Sequence, residues 1–277
     1  MVSKHIINPA EFYLGNQEPL IFMGKSHFLN YLKRTIIYTE YNHKNFSNLH
    51  QLGAQVYYQN LEQNLGTPVI AKSPQMKKCL VIAKKYAQNN HSILITGKSG
   101  TGKEIIARLI HYFSNRAEEQ FVAVNVNDIP HGLFESTLFG YIKGAFTGSN
   151  SIRMGLVEKA GKGTLFLDEI GDLPMEQQLK LLRFIKTREY YKVGTNKPSR
   201  TEAFFIFATK QDISQKVQQQ LFRNDLFYRV SDLEINIPLL RERKEDIAAL
   251  CAYLIPQLAK EEGISQIPIL SKDAYNA

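Results

Sequence analysis

Short apolar runs alternate along the chain with stretches in which apolar residues recur every three or four positions. The runs have the continuous hydrophobicity of strands that are buried on both faces, and they are SILIT (92–96), FVAVN (121–125), TLFLD (164–168) and AFFIFAT (203–209). Helical spacing is found in SPQMKKCLVIAKKYAQ (73–88), KEIIARLIHYF (103–113) and MEQQLKLLRFIKTREY (175–190). Strands that alternate with helices predict an α/β fold with a parallel sheet covered by helices on both faces.

Residues 1–66 differ in character from the rest of the chain. They are rich in Asn, Gln, Tyr and His, and they contain short apolar bursts such as PLIFM (19–23) but no motif that carries chemistry. The stretch 31–52 is compatible with a helix. The turn sequence Gly66-Thr67-Pro68 predicts a domain boundary. The role of residues 1–66 stays open between a degenerate sensory region, an adaptor and a partly disordered segment.

Composition excludes several classes of protein. No apolar run approaches the ~20 residues of a membrane span, and the first residues lack a secretory signal, so we expect a cytoplasmic protein without membrane contact. Cys79 and Cys251 lie far apart, which is typical of free thiols in a reducing compartment. The net charge of +8 permits contact with nucleic acid. Because the basic residues are spread along the chain, a solvated basic surface explains them equally well.

The first apolar run leads into a glycine-rich loop and then into a predicted helix. The loop reads Gly97-Lys98-Ser99-Gly100-Thr101-Gly102-Lys103, which is the pattern G-x-x-x-x-G-K in the strand–loop–helix context that phosphate binding requires. Backbone amides and the helix N-terminus can surround phosphates, and the lysine can reach the β- and γ-phosphates. A glycine-rich turn without nucleotide is the alternative, and the context favours the phosphate loop.

The run TLFLDEIGDLP (164–174) places two acids at the carboxyl end of a buried strand. Ligands of open α/β sheets bind at that end of the strands. Asp168 can hold a magnesium ion there, and Glu169 can deprotonate the attacking water. The alternative is that the two acids merely cap the following loop and helix.

Two further segments remain ambiguous from the residues alone. The segment TLFGYIKGAFTGSNS (137–151) carries Phe139 and Phe146 among glycines without strand or helix periodicity. It is compatible both with an exposed contact loop and with a buried turn. The arginines of LFRNDLFYRV (221–230) and IPLLRERKEDI (237–247) can stabilise a phosphate across a subunit interface. Their spacing alone favours surface salt bridges.

The motifs GKSGTGKE, GAFTGS, GTLFLDEIGDLP, FRNDLFYRV and PLLRERKEDI occur in the order and spacing of a known family. Residues 67–277 resemble the sigma-54 interaction domain, the AAA+ module of bacterial enhancer-binding transcription activators, and GAFTG is almost confined to that family. The resemblance implies a P-loop NTPase with a three-layer αβα sandwich over 67–240, followed by the beginning of a helical lid over 241–277. It also implies a ring, usually a hexamer, in which ATP hydrolysis drives a loop against sigma-54 RNA polymerase and opens the promoter complex.

The resemblance assigns roles to individual residues. Asp168 resembles the Mg²⁺-site acid and Glu169 the catalytic base, and Asn125 resembles the residue that restrains this base. Arg223 and Arg229 resemble the arginine pair that is offered to the neighbouring subunit. The expected contacts to ATP come from Gly97, Ser99, Gly100, Thr101, Gly102, Lys103 and Glu104. The expected contacts to sigma-54, with Phe146 and Thr147 at the tip, come from Gly144, Ala145, Phe146, Thr147, Gly148 and Ser149.

The chain departs from the family pattern at several positions. Ser149 stands where alanine is usual, Ile142 where glutamate is usual, and Lys98 reverses a charge, whereas Glu104 matches the family. The largest departure is Lys210, at a sensor position that is usually asparagine. A lysine there can still reach the γ-phosphate, but the usual polar relay is lost. We therefore expect altered hydrolysis.

The resemblance to the family ends within the lid. ILSKDAYNA (269–277) resembles the start of the lid, and we expect neither its second sensor arginine nor a helix-turn-helix domain within this sequence. Contact with DNA is therefore expected only indirectly. Two rivals to an ATP-hydrolysing remodeller stay open. One is a nucleotide-binding regulatory or oligomerisation module with little hydrolysis, and the other is a fragment without independent activity.

Overall fold

The computed structural model describes residues 13–14, 18–19, 69–130, 132–146, 149 and 151–263. The chain divides into two units, residues 1–68 and residues 69–277. In the first unit, strands β1 (Tyr13–Leu14) and β2 (Glu18–Pro19) pair in antiparallel orientation. The helix expected within 31–52 and the lid-like segment 269–277 lie outside the described residues.

Helices and strands alternate through the second unit. In chain order they are α1 (Pro74–Tyr86), β3 (Ile93–Thr96), α2 (Lys103–Phe113), β4 (Phe121–Asn125), α3 (Phe134–Phe139), β5 (Gly140–Tyr141), β6 (Arg153–Met154), α4 (Leu156–Ala160), β7 (Thr164–Asp168), α5 (Met175–Thr187), β8 (Glu189–Tyr191), β9 (Pro198–Arg200), β10 (Phe204–Thr209), α6 (Ile213–Gln218), α7 (Asn224–Val230), β11 (Leu233–Asn236) and α8 (Glu245–Glu261). Short 3₁₀ helices cover Val126–Asp128, Ile170–Asp172 and Leu240–Glu242.

Five parallel strands form the central sheet in the order β11-β3-β10-β7-β4. Successive side chains of a strand point to opposite faces. On one face, Leu94, Leu167 and Phe207 join a buried cluster with residues of α5 and α7. On the other face the sheet is covered by α1 and α2. The predicted α/β class with a three-layer arrangement is confirmed, because three of the apolar runs form the inner strands β3, β10 and β7 and the fourth forms the edge strand β4. The expected burial of FVAVN is wrong, because an edge strand is partly open to solvent and none of its five residues is buried.

The prediction of a helix over 175–190 is wrong at its end. Helix α5 ends at Thr187, and Arg188 adopts a left-handed conformation with φ 58°. The guanidinium of Arg188 donates a hydrogen bond to the carbonyl of Ala203 at 2.6 Å and lies 4.1 Å from the centroid of the Phe205 ring. These contacts turn the chain into β8, which pairs with β9 in an antiparallel hairpin.

A buried polar cluster ties helix α8 to helix α1 and to the glycine-rich loop. Asp246 is fully buried and accepts hydrogen bonds from the amides of Lys72 at 2.6 Å and Ser73 at 2.7 Å. Arg243 is also buried, and its Nη2 donates to the carbonyl of Thr101 at 2.8 Å. Arg243 is therefore no surface arginine, in contrast to what its spacing favoured.

Among the described residues, no helix combines the length and the apolar character needed to span a membrane.

Candidate functional site

The glycine-rich loop follows β3 and folds as its glycines demand. Gly97 donates its amide to the carbonyl of Thr209 at 3.2 Å, and a Cβ at Gly97 would lie 2.8 Å from Oγ1 of Thr101. Gly102 has φ 99°, in the left-handed region that glycine adopts without strain, and it precedes the first residue of α2. The loop therefore turns tightly and presents the N-terminus of an eleven-residue helix, where backbone amides and the helix dipole favour an anion.

Lys103 joins this loop to the acidic strand end. Its side chain is only 7% exposed, and Nζ donates to the carbonyl of Gly97 at 3.1 Å and to Oε1 of Glu169 at 3.3 Å. Burial of two charges carries a desolvation cost, which their attraction offsets where the geometry is good and further hydrogen bonds are made. Two motifs that stand far apart in the sequence thus meet at one point. Glu104 instead turns outward and pairs with Arg108 at 2.7 Å, one helical turn later.

The two acids occupy different environments. Asp168 ends β7 and is half-buried, and its Oδ1 accepts the amide of Glu169 at 2.9 Å. Burial raises the pKa of Asp168 above its ordinary value, and the charge of Lys103 opposes that rise. Glu169 is 6% exposed and has a left-handed backbone with φ 58°, an unusual conformation for a residue other than glycine. Such local strain is concentrated at functional sites, where the surrounding structure maintains it.

Both carboxylate oxygens of Glu169 are occupied. Oε1 faces Lys103, while Oε2 accepts the backbone amide of Lys210 at 2.9 Å and lies 3.9 Å from the ammonium of Lys210. Asn125 pairs in register with Asp168 across β4 and β7, beside the acids. Its Oδ1 accepts the amide of Asn127 at 2.9 Å, so in this structure it begins a 3₁₀ helix and forms no described hydrogen bond with Glu169.

The sequence did not identify Asp172 and Asn127 as parts of this site. Oδ2 of Asp172 accepts from Nδ2 of Asn127 at 3.0 Å and lies 3.4 Å from Nζ of Lys210, and Oδ1 accepts from the Gln211 amide. Burial opposes ionisation of Asp172, but the hydrogen bond from Asn127 and the charge of Lys210 outweigh it and lower the pKa of Asp172. Lys210 is therefore held between two carboxylates. The sequence signal for Asp172 was its place as the third acid of DEIGD (168–172).

A cavity of about 460 Å³ adjoins this cluster. Gly97, Lys98 and Lys210 border it on the side of the cluster, and Glu234 and Glu242 are among its other lining residues. It lies where β3, β10 and β11 end, which is the edge at which parallel sheets bind ligands. Its volume falls in the range of small-molecule sites.

The two arginines of the FRNDLFYRV motif lie at the two ends of α7. Arg223 precedes the helix and donates from Nε and Nη2 to the carboxylate of Asp225 at 3.0 and 2.8 Å. Arg229 is exposed in the last turn, and its side chain has no hydrogen bond or ion pair within the described part of the chain. Among the described residues, neither arginine side chain is hydrogen-bonded to the glycine-rich loop, to Asp168 or to Glu169.

The loop after β5 is closed by hydrogen bonds at its base. Strand β5 pairs with β6, and Gly144 donates its amide to the carbonyl of Ser149 at 2.9 Å. Oγ of Ser149 accepts the amide of Phe146 at 3.0 Å and donates to the carbonyl of Phe146 at 2.7 Å, contacts that alanine could not make. The ring of Phe146 is 44% exposed and meets the ring of Tyr141 edge-on at 5.0 Å. Thr147 and Gly148 lie outside the described residues.

Comparison with known proteins gives concordant matches. The family model for the sigma-54 interaction domain matches residues 69–236. The DNA-binding transcriptional regulator NtrC of Escherichia coli K12 is 44% identical over 198 residues, which cover 72% of this chain and 42% of NtrC. The regulatory protein AtoC of the same organism is 43% identical over 193 residues, covering 70% of this chain and 42% of AtoC. The chain thus spans less than half the length of these relatives.

Solved structures agree with the sequence matches. NtrX from Brucella abortus in complex with ADP superimposes with a TM-score of 0.70 at 31% identity, covering 88% of this chain and 53% of NtrX. NtrX in complex with ATP superimposes with a TM-score of 0.68 at 31% identity, covering 82% of this chain and 49% of NtrX.

Proposed function

The chain belongs to the sigma-54 interaction domain family, and from that premise we propose that it hydrolyses ATP and uses the energy to remodel sigma-54 RNA polymerase. In this proposal the loop 97–103 binds the phosphates, and Glu169 activates the attacking water. The observation that carries it is the buried contact of 3.3 Å between Lys103 Nζ and Glu169 Oε1. That contact joins a phosphate-binding group to a candidate general base at the carboxyl edge of the sheet.

Binding of a nucleoside triphosphate would change the partner of Lys103. Phosphate oxygens carry more charge than one carboxylate, so we expect the ammonium to move from Glu169 to the β- and γ-phosphates. Glu169 then loses the donor on Oε1 and becomes free to accept a proton from water. The same step that fixes the substrate therefore releases the base.

The residues present also fit a magnesium ion. Asp168 offers a half-buried carboxylate at the end of β7, with one described hydrogen bond, on Oδ1. Hard cations such as Mg²⁺ prefer carboxylate oxygens and phosphate. Asp168 would hold the ion, which would supply charge neutralisation on the phosphates. Glu104 stands at the position where the general phosphate-loop pattern has serine or threonine. Its side chain pairs with Arg108.

The remaining proposed roles fall on two surfaces. Arg223 and Arg229 would be offered to the site of a neighbouring subunit in a ring, because an arginine at the γ-phosphate stabilises charge during transfer. The segment from Gly144 to Ser149 would contact sigma-54. An exposed aromatic side chain such as Phe146, at 44% exposure, is suited to contact a protein partner. Asn125 would restrain Glu169 after rotation of its side chain away from Asn127.

We expect ATP turnover per chain to rise with protein concentration, since each site is completed by a neighbouring subunit. The measurement is steady-state ATP hydrolysis over a concentration series, next to nucleotide binding. Lys103→Ala is the control, and it should lose binding together with turnover, because the phosphate contact is removed. Turnover that is independent of concentration would contradict a shared site.

A second candidate function is a nucleotide-binding regulator that assembles but barely hydrolyses ATP. It is favoured by one observation, the contact of Lys210 with both Glu169 and Asp172. Lys210 thereby engages the carboxylate that the proposed mechanism needs for the attacking water, and so opposes the proposed action of Glu169. Nucleotide binding without turnover in the wild-type chain would favour this candidate.

Lys210→Asn is expected to raise turnover by up to about fivefold, since a partly exposed ion pair contributes about 1 kcal/mol or less. The substitution removes the ammonium but keeps the backbone amide that contacts Oε2 of Glu169. The measurement is kcat of the purified pair of proteins. Lys162→Asn, at an exposed lysine that pairs with Glu202, is the matched control. Unchanged or lower kcat in Lys210→Asn would contradict the inhibitory role of Lys210.

A further inference from the structure

The amide of Gln178 is a buried polar group that the proposed mechanism does not use. Gln178 lies on α5 and is 0% exposed. Its Nε2 donates to the carbonyls of Leu173 at 2.8 Å and Leu221 at 3.0 Å, and its Oε1 accepts the amide of Arg223 at 2.8 Å. All three partners are backbone atoms. A flipped amide would place an oxygen against two carbonyls, so the network fixes the orientation of the side chain.

These partners belong to two different functional segments. Leu173 directly follows the 3₁₀ helix that begins after Glu169, so the position of its carbonyl depends on the position of the segment 169–173. Leu221 and Arg223 precede α7, and Arg229 lies in its last turn. The side chain of Gln178 therefore connects the segment behind the general base to the segment that carries both arginines.

We propose that Gln178 is a positioning residue. It fixes the position of Arg223 and Arg229 relative to the segment 169–173 of the same subunit. The inference rests on the proposed function, in which those arginines serve the site of the next subunit. When Lys103 leaves Glu169 for a phosphate, a shift of the segment 169–173 passes through one side chain to the start of α7. Gln178 thereby links the presence of nucleotide in the site of one subunit to the position of the arginines that complete the site of the next subunit.

The geometry explains why a glutamine is required. Its side chain supplies two donors and one acceptor in the arrangement that two carbonyls and one amide demand. Leucine of similar size would leave the two carbonyls and the Arg223 amide without this partner, and an unpaired buried polar group is unfavourable. Glutamate would keep the acceptor for Arg223 but would face both carbonyls with an oxygen. We therefore expect turnover to fall in Gln178→Glu as well as in Gln178→Leu.

The first measurement separates nucleotide binding from turnover. Gln178→Leu should lower kcat by about 10- to 100-fold, which is the scale of misplacing a catalytic group by ~1 Å. ATP affinity should stay within about twofold, because Lys103 and the phosphate loop are untouched. Gln177→Leu, the same substitution one residue earlier on the same helix, is the control and should keep wild-type kcat. Equal losses of kcat in both variants would overturn the proposal.

The decisive measurement mixes two inactive proteins. Gln178→Leu subunits keep their own Lys103 and Glu169, whereas Glu169→Gln subunits keep well-placed arginines. Turnover should therefore return when the two are combined, because the first supplies the site and the second supplies the arginines. Circular dichroism confirms that each variant is folded. If Gln178→Leu does not fold, Gln178→Glu takes its place in the mixture.

The reference mixture combines Arg229→Ala with Glu169→Gln. Recovery in this mixture but not in the Gln178 mixture would overturn the role of Gln178 and leave the shared site intact. Absence of recovery in both mixtures would show that sites are not completed between subunits, and the proposed function would then fail together with the inference.

Discussion

Glu169→Gln is expected to lower ATP turnover about 100- to 10,000-fold, the usual contribution of a general base, while ATP binding is kept. The substitution conserves the shape of the side chain and can still accept the amide of Lys210. It removes the negative charge that pairs with Lys103 at 3.3 Å. Lys103 then has no carboxylate competing with the phosphates, so the affinity for ATP should be equal to or higher than that of the wild type. Single-turnover hydrolysis and nucleotide titration measure the two quantities separately.

A matched control is available on α5. Glu176→Gln makes the same chemical change at an exposed glutamate whose partner is Lys180, at 2.6 Å, and it should leave both quantities unchanged. If Glu169→Gln kept turnover within tenfold of the wild type, another group would have to activate the water. Asp172 would be the next candidate, because it lies in the same cluster with Lys210 at 3.4 Å.

The inner strands of the central sheet could be predicted because burial on both faces leaves a simple pattern. TLFLD and AFFIFAT are apolar at nearly every position, as a central strand in a three-layer sandwich requires. Strand β11 was missed, since it lies at the edge of the sheet and its residues 233–236 alternate between apolar and polar. The end of α5 was missed because Arg188 adopts a left-handed conformation without glycine, held by its contacts with Ala203 and Phe205. Those contacts come from residues fifteen or more positions later.

The motifs of the candidate site could be predicted from the sequence, but the contacts between their side chains could not. The spacing of the phosphate loop and the acids identifies candidate residues, yet it carries no information on which atoms meet. The meeting of Lys103 and Glu169 depends on the neighbouring positions of β3, β10 and β7 in the sheet. Gln178 gave no signal, because its three partners are backbone groups that every sequence possesses. Arg243 was taken for a surface residue, since nothing local shows that the Thr101 carbonyl lies within reach.

Arg229→Ala is expected to lower kcat about 1,000- to 100,000-fold, the range for an arginine that stabilises a transferring phosphoryl group. The physical reason lies in its surroundings within one chain. Arg229 is exposed and unpaired within the described residues. The pKa of Arg188 is lowered, mainly by burial of its guanidinium and further by the charge of Arg229. An exposed arginine that lies near another positive charge is suited to bind an anionic partner outside its own chain.

The exposure of Arg229 makes it possible to distinguish a loss of kcat from a loss of stability. Because Arg229 makes no ion pair in the described structure, its truncation should change the free energy of unfolding by no more than about 0.5 kcal/mol, as measured by denaturant titration. ATP affinity at low protein concentration should also be kept. Arg183→Ala, at an exposed arginine on α5, provides the control for loss of one surface charge. A fall in kcat that was no larger than in this control would remove Arg229 from the shared site and leave Arg223 as the sole candidate, in which case the Asp225 pair would have to open during assembly.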